Sequence, residues 1–240
     1  MPLRSGEVQA VLARRSPAGR YGLLLLVLTA SYVLSAFNGR ALGSELQLGF
    51  FVVVLLLTLR TSSLPRGGTI LAGAVTLGGS ALALGLVLTG TQTGAGVAQL
   101  WKGAMLLLAV VLVVRRVLAK PTVTIQSIYG ALSAYIIIGL MFAAFYAAIG
   151  HLGGGSFFAG GQPASTQTLQ YFSFTTRTTL GYGDFTAASD GGRAIAVIEA
   201  LAGQVFLVTL VARLVAAFRS PAEPPDEGSG DTAIHDPPVS

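Results

Sequence analysis

Residues 176–184 read TRTTLGYGD, two glycines around a tyrosine directly after a run of threonines. The chemistry such a stretch offers lies in its backbone. Glycine tolerates angles closed to other L-residues, so Gly181 and Gly183 allow successive carbonyls to face one way. Together with the threonine hydroxyls, such carbonyls form a backbone suited to holding a cation stripped of its water. The question is which elements of the chain hold that backbone in place.

The composition restricts the answer. The 240 residues are 52% hydrophobic and only 10% charged, with a mean hydropathy of +0.71. Soluble domains carry about 25% charged residues, so the chain reads as a membrane protein. Its net charge of +5 forms no basic stripe of the kind nucleic-acid binding needs; the basic residues sit in short clusters between apolar runs. With no cysteine there is no disulfide and no thiolate metal site. His151 and His235 fall in expected loops, far apart in sequence, and suggest no metal centre.

Crossing ~30 Å of hydrocarbon takes roughly 20 mostly apolar residues. Six runs qualify or come close: 21–37, 46–59, 69–89, 97–114, 125–149 and 194–212. The first follows Arg14, Arg15 and Arg20 as a signal peptide would, yet it is long for one and further spans follow. The second has only 14 residues between Glu45 and Arg60, and charge decides in its favour. With six spans and the N-terminus inside, Arg4, Arg14, Arg15, Arg20, Arg60, Arg66, Arg115, Arg116, Lys120, Arg213 and Arg219 all fall on the inner side. Removing the second span would put Arg60 and Arg66 outside and spoil the positive-inside bias. Lys102 beside Trp101 reads as an anchor at the outer interface.

The expected organisation is therefore a basic cytoplasmic segment at 1–20, a four-helix membrane unit at 21–120, a unit at 121–219 and a disordered, Pro- and acid-rich cytoplasmic tail at 220–240. Val8, Val11 and Leu12, beside Arg14 and Arg15, suit either a short surface helix or a flexible basic arm. Between the fifth and sixth spans lie 44 residues. They begin as a Gly-rich loop, GHLGGGSFFAGGQPAS, expected to be flexible. The GGGS within it lacks the lysine of a phosphate-binding loop and the spacing of a nucleophile elbow. TQTLQYFSFTTRT is then helix-length, with Ser165 as its N-cap, and runs straight into TLGYGD. Helix, loop, short helix, extended strand and helix make a re-entrant hairpin, a form tolerated at membrane depth only where protein buries it or water reaches it.

TTLGYGD placed between two membrane helices resembles the selectivity filter of potassium channels. YFSF before it and GRAIAVIEALAGQVFLVTLVARLV after it extend the resemblance over roughly 125–218, the latter being similar to the inner helix of small bacterial potassium channels. The resemblance implies an all-α membrane protein of six transmembrane helices, with a re-entrant pore helix and filter between helices 5 and 6. Four copies would surround one pore, because one chain supplies a single wall. Thr179, Leu180, Gly181, Tyr182 and Gly183 would line the ion path and Asp184 the outer mouth. Tyr171, Phe172 and Thr178 would support the filter, Tyr182 pointing outward to Tyr171 and Phe172 of a neighbouring pore helix. Gly203 would be a hinge, with Gln204, Val208, Val211 and Val215 on the pore face below it. It further implies passive potassium conduction in the cell membrane, with both termini cytoplasmic. Potassium would be the permeant ion rather than a cofactor; the partners would be lipid and three further copies, not nucleic acid.

Three features depart from that pattern. No charge lies between Lys102 and Arg115, so the fourth span offers no arginine array for sensing voltage. Leu180 stands where valine is usual. Arg177 places a cation at the inner end of the pore helix, where pairing with Glu199 would neutralise it. The alternative is the same fold with weak selectivity or no conduction because of Arg177. A secondary transporter is disfavoured because only one half carries a re-entrant motif. An intramembrane enzyme is disfavoured because no Ser-His or carboxylate pair shares a depth.

Overall fold

The computed structural model describes residues 66–119 and 124–219, together with 22, 24–29, 32 and 52. Five helices with defined ends follow one another: α1 Arg66–Leu88, α2 Gln92–Leu118, α3 Ile125–Leu152, α4 Thr166–Arg177 and α5 Asp190–Arg219. Four of them, all but α4, are long and apolar enough to cross a membrane among the described residues. They correspond to the third to sixth expected spans, each extended by a few residues at one or both ends. Of the first two spans only Gly22, Leu24–Thr29, Tyr32 and Val52 are described, all helical. The rest of those spans, the N-terminal segment and the tail from 220 lie outside the described residues.

Local chemistry sets the helix starts. Thr91 caps α2 by accepting from the Gly94 N–H at 3.1 Å. Thr124 and Ser127 form a reciprocal capping box at α3, satisfying donors that the first turn leaves open. Arg115 and Arg116 in the last turn of α2 complement its negative end.

The core is built on α3, which packs most extensively against α2 and also meets α4 and α5. Of its most apolar 18-residue window, 72% is buried within the chain, against 11% for α5. A helix as apolar as α5 that its own chain scarcely covers must give its remaining faces to lipid or to further copies. Its buried residues are Gly192, Glu199 and Gly203, with Phe206 and Leu210 half-buried; Val205, Val208, Val211 and Val215 are exposed.

Two expectations change here. Lys102 is no interfacial anchor, being buried beside Gln99, Thr166 and Gln170. It shares a helix face with buried Ala98, Met105, Leu106, Ala109 and Val113, so the turn of α2 aims it inward, as expected of an ionisable residue at membrane depth. Trp101 leans instead on α1, where it occupies the place a Cβ would take at Gly79 and donates to Ser80 Oγ at 3.3 Å. His151 is not in a loop; it sits in the last turn of α3, 2.7 Å from Gln92 Oε1. That bond joins the end of α3 to the start of α2.

The Gly-rich outer loop is not a loose turret either. Phe157 and Phe158 are buried, and their rings gather with Tyr146, Phe172 and Phe185. The Ala159 N–H donates to Thr186 O at 2.9 Å and the Ala188 N–H to Phe157 O at 2.8 Å. The glycines let the chain turn, while the two phenylalanines fasten it to the segment after the 176–184 stretch. Phe158→Ala is therefore expected to cost about 3 kcal/mol or more, as for other buried aromatics. Denaturant unfolding in detergent measures it; a loss under about 1 kcal/mol would show that the loop is not fastened there.

Candidate functional site: the filter and the seam behind it

Ser165 starts α4, its Oγ accepting from the Thr168 N–H at 3.2 Å. The helix ends at Arg177, and Thr178 turns its Oγ1 back to Phe174 O at 2.8 Å. The chain then doubles back on the helix end. The N–H groups of Leu180 and Gly181 donate to Thr175 O at 2.9 and 3.2 Å, and that of Thr179 to Thr176 O at 2.9 Å. Backbone φ is positive at every second residue: 59° at Thr179, 48° at Gly181 and 82° at Gly183. A strand with φ of one sign sends successive carbonyls to opposite sides; reversing φ at alternate residues brings them to the same side. No described residue donates a hydrogen bond to the carbonyls of 179–183, and residues 178–184 are exposed. Thr179 is the telling position, because a β-branched residue there is strained by about 1–3 kcal/mol, of the kind found where function demands it.

Asp184 is held by three donors from its own chain. Tyr171 Oη donates to Oδ2 at 2.9 Å, the Phe185 N–H to Oδ1 at 3.1 Å, and Gln162 Nε2 to the backbone carbonyl at 3.0 Å. Gln162 was not legible as a site residue. Gly160 makes room for it, since a Cβ there would lie 2.7 Å from the Gln162 amide. Tyr182 stacks on Tyr171 of the same chain, 6.4 Å between centroids and 6° between planes. Phe172 does not meet Tyr182; it belongs to the aromatic cluster under the outer loop.

Behind this face lies a polar seam. Arg177 and Glu199 are both fully buried, at 0% exposure, but they are not a contact ion pair. Among the described residues only Arg193 and Asp190 lie within salt-bridge distance. Glu199 accepts from Tyr146 Oη at 2.6 Å and from Ser173 Oγ at 2.5 Å, and Ser173 Oγ also lies 2.7 Å from Gly139 O. The Arg177 guanidinium donates to Tyr135 O and lies over the rings of Tyr135 and Phe174, 4.0 and 4.5 Å from their centroids. Arg177 Nε and Nη2 are buried without a hydrogen-bond partner among the described residues, so cation–π contact and the negative end of α4 supply part of what a carboxylate would.

Two glycines make the slot for that side chain. A Cβ at Gly139 would stand 2.9 Å from Nη1, and one at Gly203 would strike Cγ and lie 2.9 Å from Arg177 O. Gly203 thus sits against Arg177 within an α5 that continues as helix to Arg219. Of the other pore-face residues named from sequence, Gln204 is half-buried and Val208, Val211 and Val215 are exposed. The seam is lined by residues spaced by four on each helix: Tyr135 and Gly139 on α3, Ser173 and Arg177 on α4, Glu199 and Gly203 on α5.

Residues 136–220, from within α3 through α4 and the 176–184 stretch to the end of α5, match the family described as Ion channel. No curated protein matches the chain. The long apolar helices and the matched segment agree: the chain is an all-helical, multi-pass membrane protein that carries an ion-channel pore domain.

Proposed function

We propose that four copies of this chain form a potassium-selective channel that conducts passively across the membrane and does not depend steeply on voltage. The observation that carries the reading is the alternation of positive φ at Thr179, Gly181 and Gly183, with five exposed carbonyls to which no described residue donates. Such carbonyls exchange for the hydration shell of a potassium ion at little net cost. One chain offers one wall and leaves α5 largely uncovered, which supports a ring of copies. The burial of Arg177 between α3 and α5 supports conduction, because its charge is enclosed by rings and a carbonyl rather than standing in the ion path. The voltage reading rests on α2, whose cations are Lys102, Arg115 and Arg116; moving one charge through the field yields only about 2.3 kcal/mol per 100 mV.

Purified protein in liposomes tests the proposal. Potassium and rubidium flux is expected to exceed sodium flux greatly and to be blocked by barium. Equal sodium and potassium permeability would overturn it in favour of a weakly selective pore.

A further inference from the structure

We infer that Glu199 is a positioning residue for the filter, acting through its hydrogen bonds to Ser173 and Tyr146 and not as the counter-charge of Arg177. The inference rests on the proposed channel function for its flux readout, but the contacts stand independently of it. Glu199 belongs to α5, Ser173 to α4 and Tyr146 to α3, so one carboxyl group links the short helix to both membrane helices it packs on. Ser173, Tyr146 and Glu199 have 0% exposure, and the bonds of 2.5 and 2.6 Å are the shortest side-chain pairs behind the filter that have normal length.

The location gives the bonds their consequence. Ser173 lies one helical turn before Arg177, and the filter begins immediately after that residue. α4 is only 12 residues long, and three of its five buried residues, Gln170, Ser173 and Arg177, are polar. Its depth and rotation set where the Thr175 carbonyl stands, and that carbonyl accepts the N–H groups of Leu180 and Gly181. A shift of α4 at Ser173 is therefore passed to the filter backbone through one rigid turn of helix. Arg177 is already engaged by Tyr135 O and two rings, and no oxygen of Glu199 lies within salt-bridge reach of it.

Glutamine separates the two roles. It is isosteric, accepts from one hydroxyl through its carbonyl and donates to the other through its amide, yet has no charge. The experiment measures the K⁺/Na⁺ flux ratio in liposomes, together with thermal stability of the detergent-solubilised assembly, for Glu199→Gln, Glu199→Leu, Ser173→Ala and Tyr146→Phe. Glu199→Gln is expected to stay within about twofold of the native ratio, and Glu199→Leu and Ser173→Ala to lose about tenfold or more, as removal of buried hydrogen-bond partners implies. Glu199→Leu with Ser173→Ala is expected to lose less than the sum of the singles, since they share one bond. If Glu199→Leu does not assemble, Ser173→Ala and Tyr146→Phe, each lacking one hydroxyl, decide the matter. A Glu199→Gln protein as impaired as Glu199→Leu would overturn the inference in favour of a charge role, and native ratios in Ser173→Ala and Tyr146→Phe would overturn it outright. Absence of selective flux in the unmutated protein would defeat the channel reading instead, leaving the stability series to judge the three-helix link.

Discussion

Gly203→Ala is expected to loosen the assembly and to suppress potassium flux, although alanine is the better helix former. In an open helix the exchange gains about 1 kcal/mol. At 203 the new Cβ would strike Arg177 Cγ and approach Arg177 O to 2.9 Å, and overpacking of that kind costs about 1–3 kcal/mol in each chain. Arg177 cannot retreat easily, because Gly139 and the rings of Tyr135 and Phe174 close the other side of its slot. The strain therefore falls on the end of α4, directly before the filter. Gly73→Ala on α1 is the control, since nothing lies within 4 Å of a Cβ there; it is expected to be neutral or mildly stabilising. Removing the obstacle should restore part of the loss, so Arg177→Ala with Gly203→Ala is expected to be more stable than Gly203→Ala alone. The recovery is partial because the carbonyl contact remains. Thermal stability in detergent and liposome flux read both effects. A double variant no better than the single one would return Gly203 to the role of a hinge that needs its flexibility.

Gly183→Ala is expected to abolish the preference for potassium. Gly183 has φ of +82° with nothing within 4 Å of the position a Cβ would take, so the penalty is one of backbone conformation and not of space. Holding an L-residue in the left-handed region costs roughly 1–2 kcal/mol, and four walls would carry it together. The chain relieves this strain by rotating the 183 peptide, which withdraws a carbonyl from the ion path. Gly154 supplies the comparison: its φ is +69°, again with nothing nearby, but it lies in the outer loop. Gly154→Ala should lower thermal stability by a similar amount while leaving the K⁺/Na⁺ flux ratio native. Native selectivity in Gly183→Ala would show that the left-handed residue is not part of the ion path.

The filter stretch was legible because its information is local. Glycine at 181 and 183 follows from the φ they adopt, Ser165 from the cap it forms, and four of the membrane helices from unbroken apolar length. What escaped depends on contacts between distant residues. Glu199 meets Ser173 and Tyr146, 26 and 53 positions away, whereas the rule that ionisable residues at membrane depth find partners points only to Arg177, the opposite charge expected at the same depth. Neutral hydroxyls, a carbonyl and aromatic faces served instead. Trp101 beside Lys102 suggests an interface, whereas the helical face that Lys102 shares with Ala98, Met105 and Ala109 aims it inward. The glycines of the 150–165 loop point to flexibility, whereas the paired phenylalanines at 157 and 158 are the signal that it folds back. The Tyr182–Tyr171 stacking within one chain could not be told from stacking between copies, because spacing in sequence does not distinguish them.

That last feature bears on inheritance. Tyr171, Gln162 and the folded-back loop brace Asp184 and Tyr182 from within a single chain, so in the proposed ring of four each wall would arrive already braced. Each copy would contribute its own wall, and an ion would have to pass all of them. A cell making sound and filter-defective chains together, mixing at random, would build mostly rings with at least one bad wall. Lesions in the brace would accordingly behave as dominant, whereas lesions that keep a chain from folding would remove it before assembly and behave as recessive.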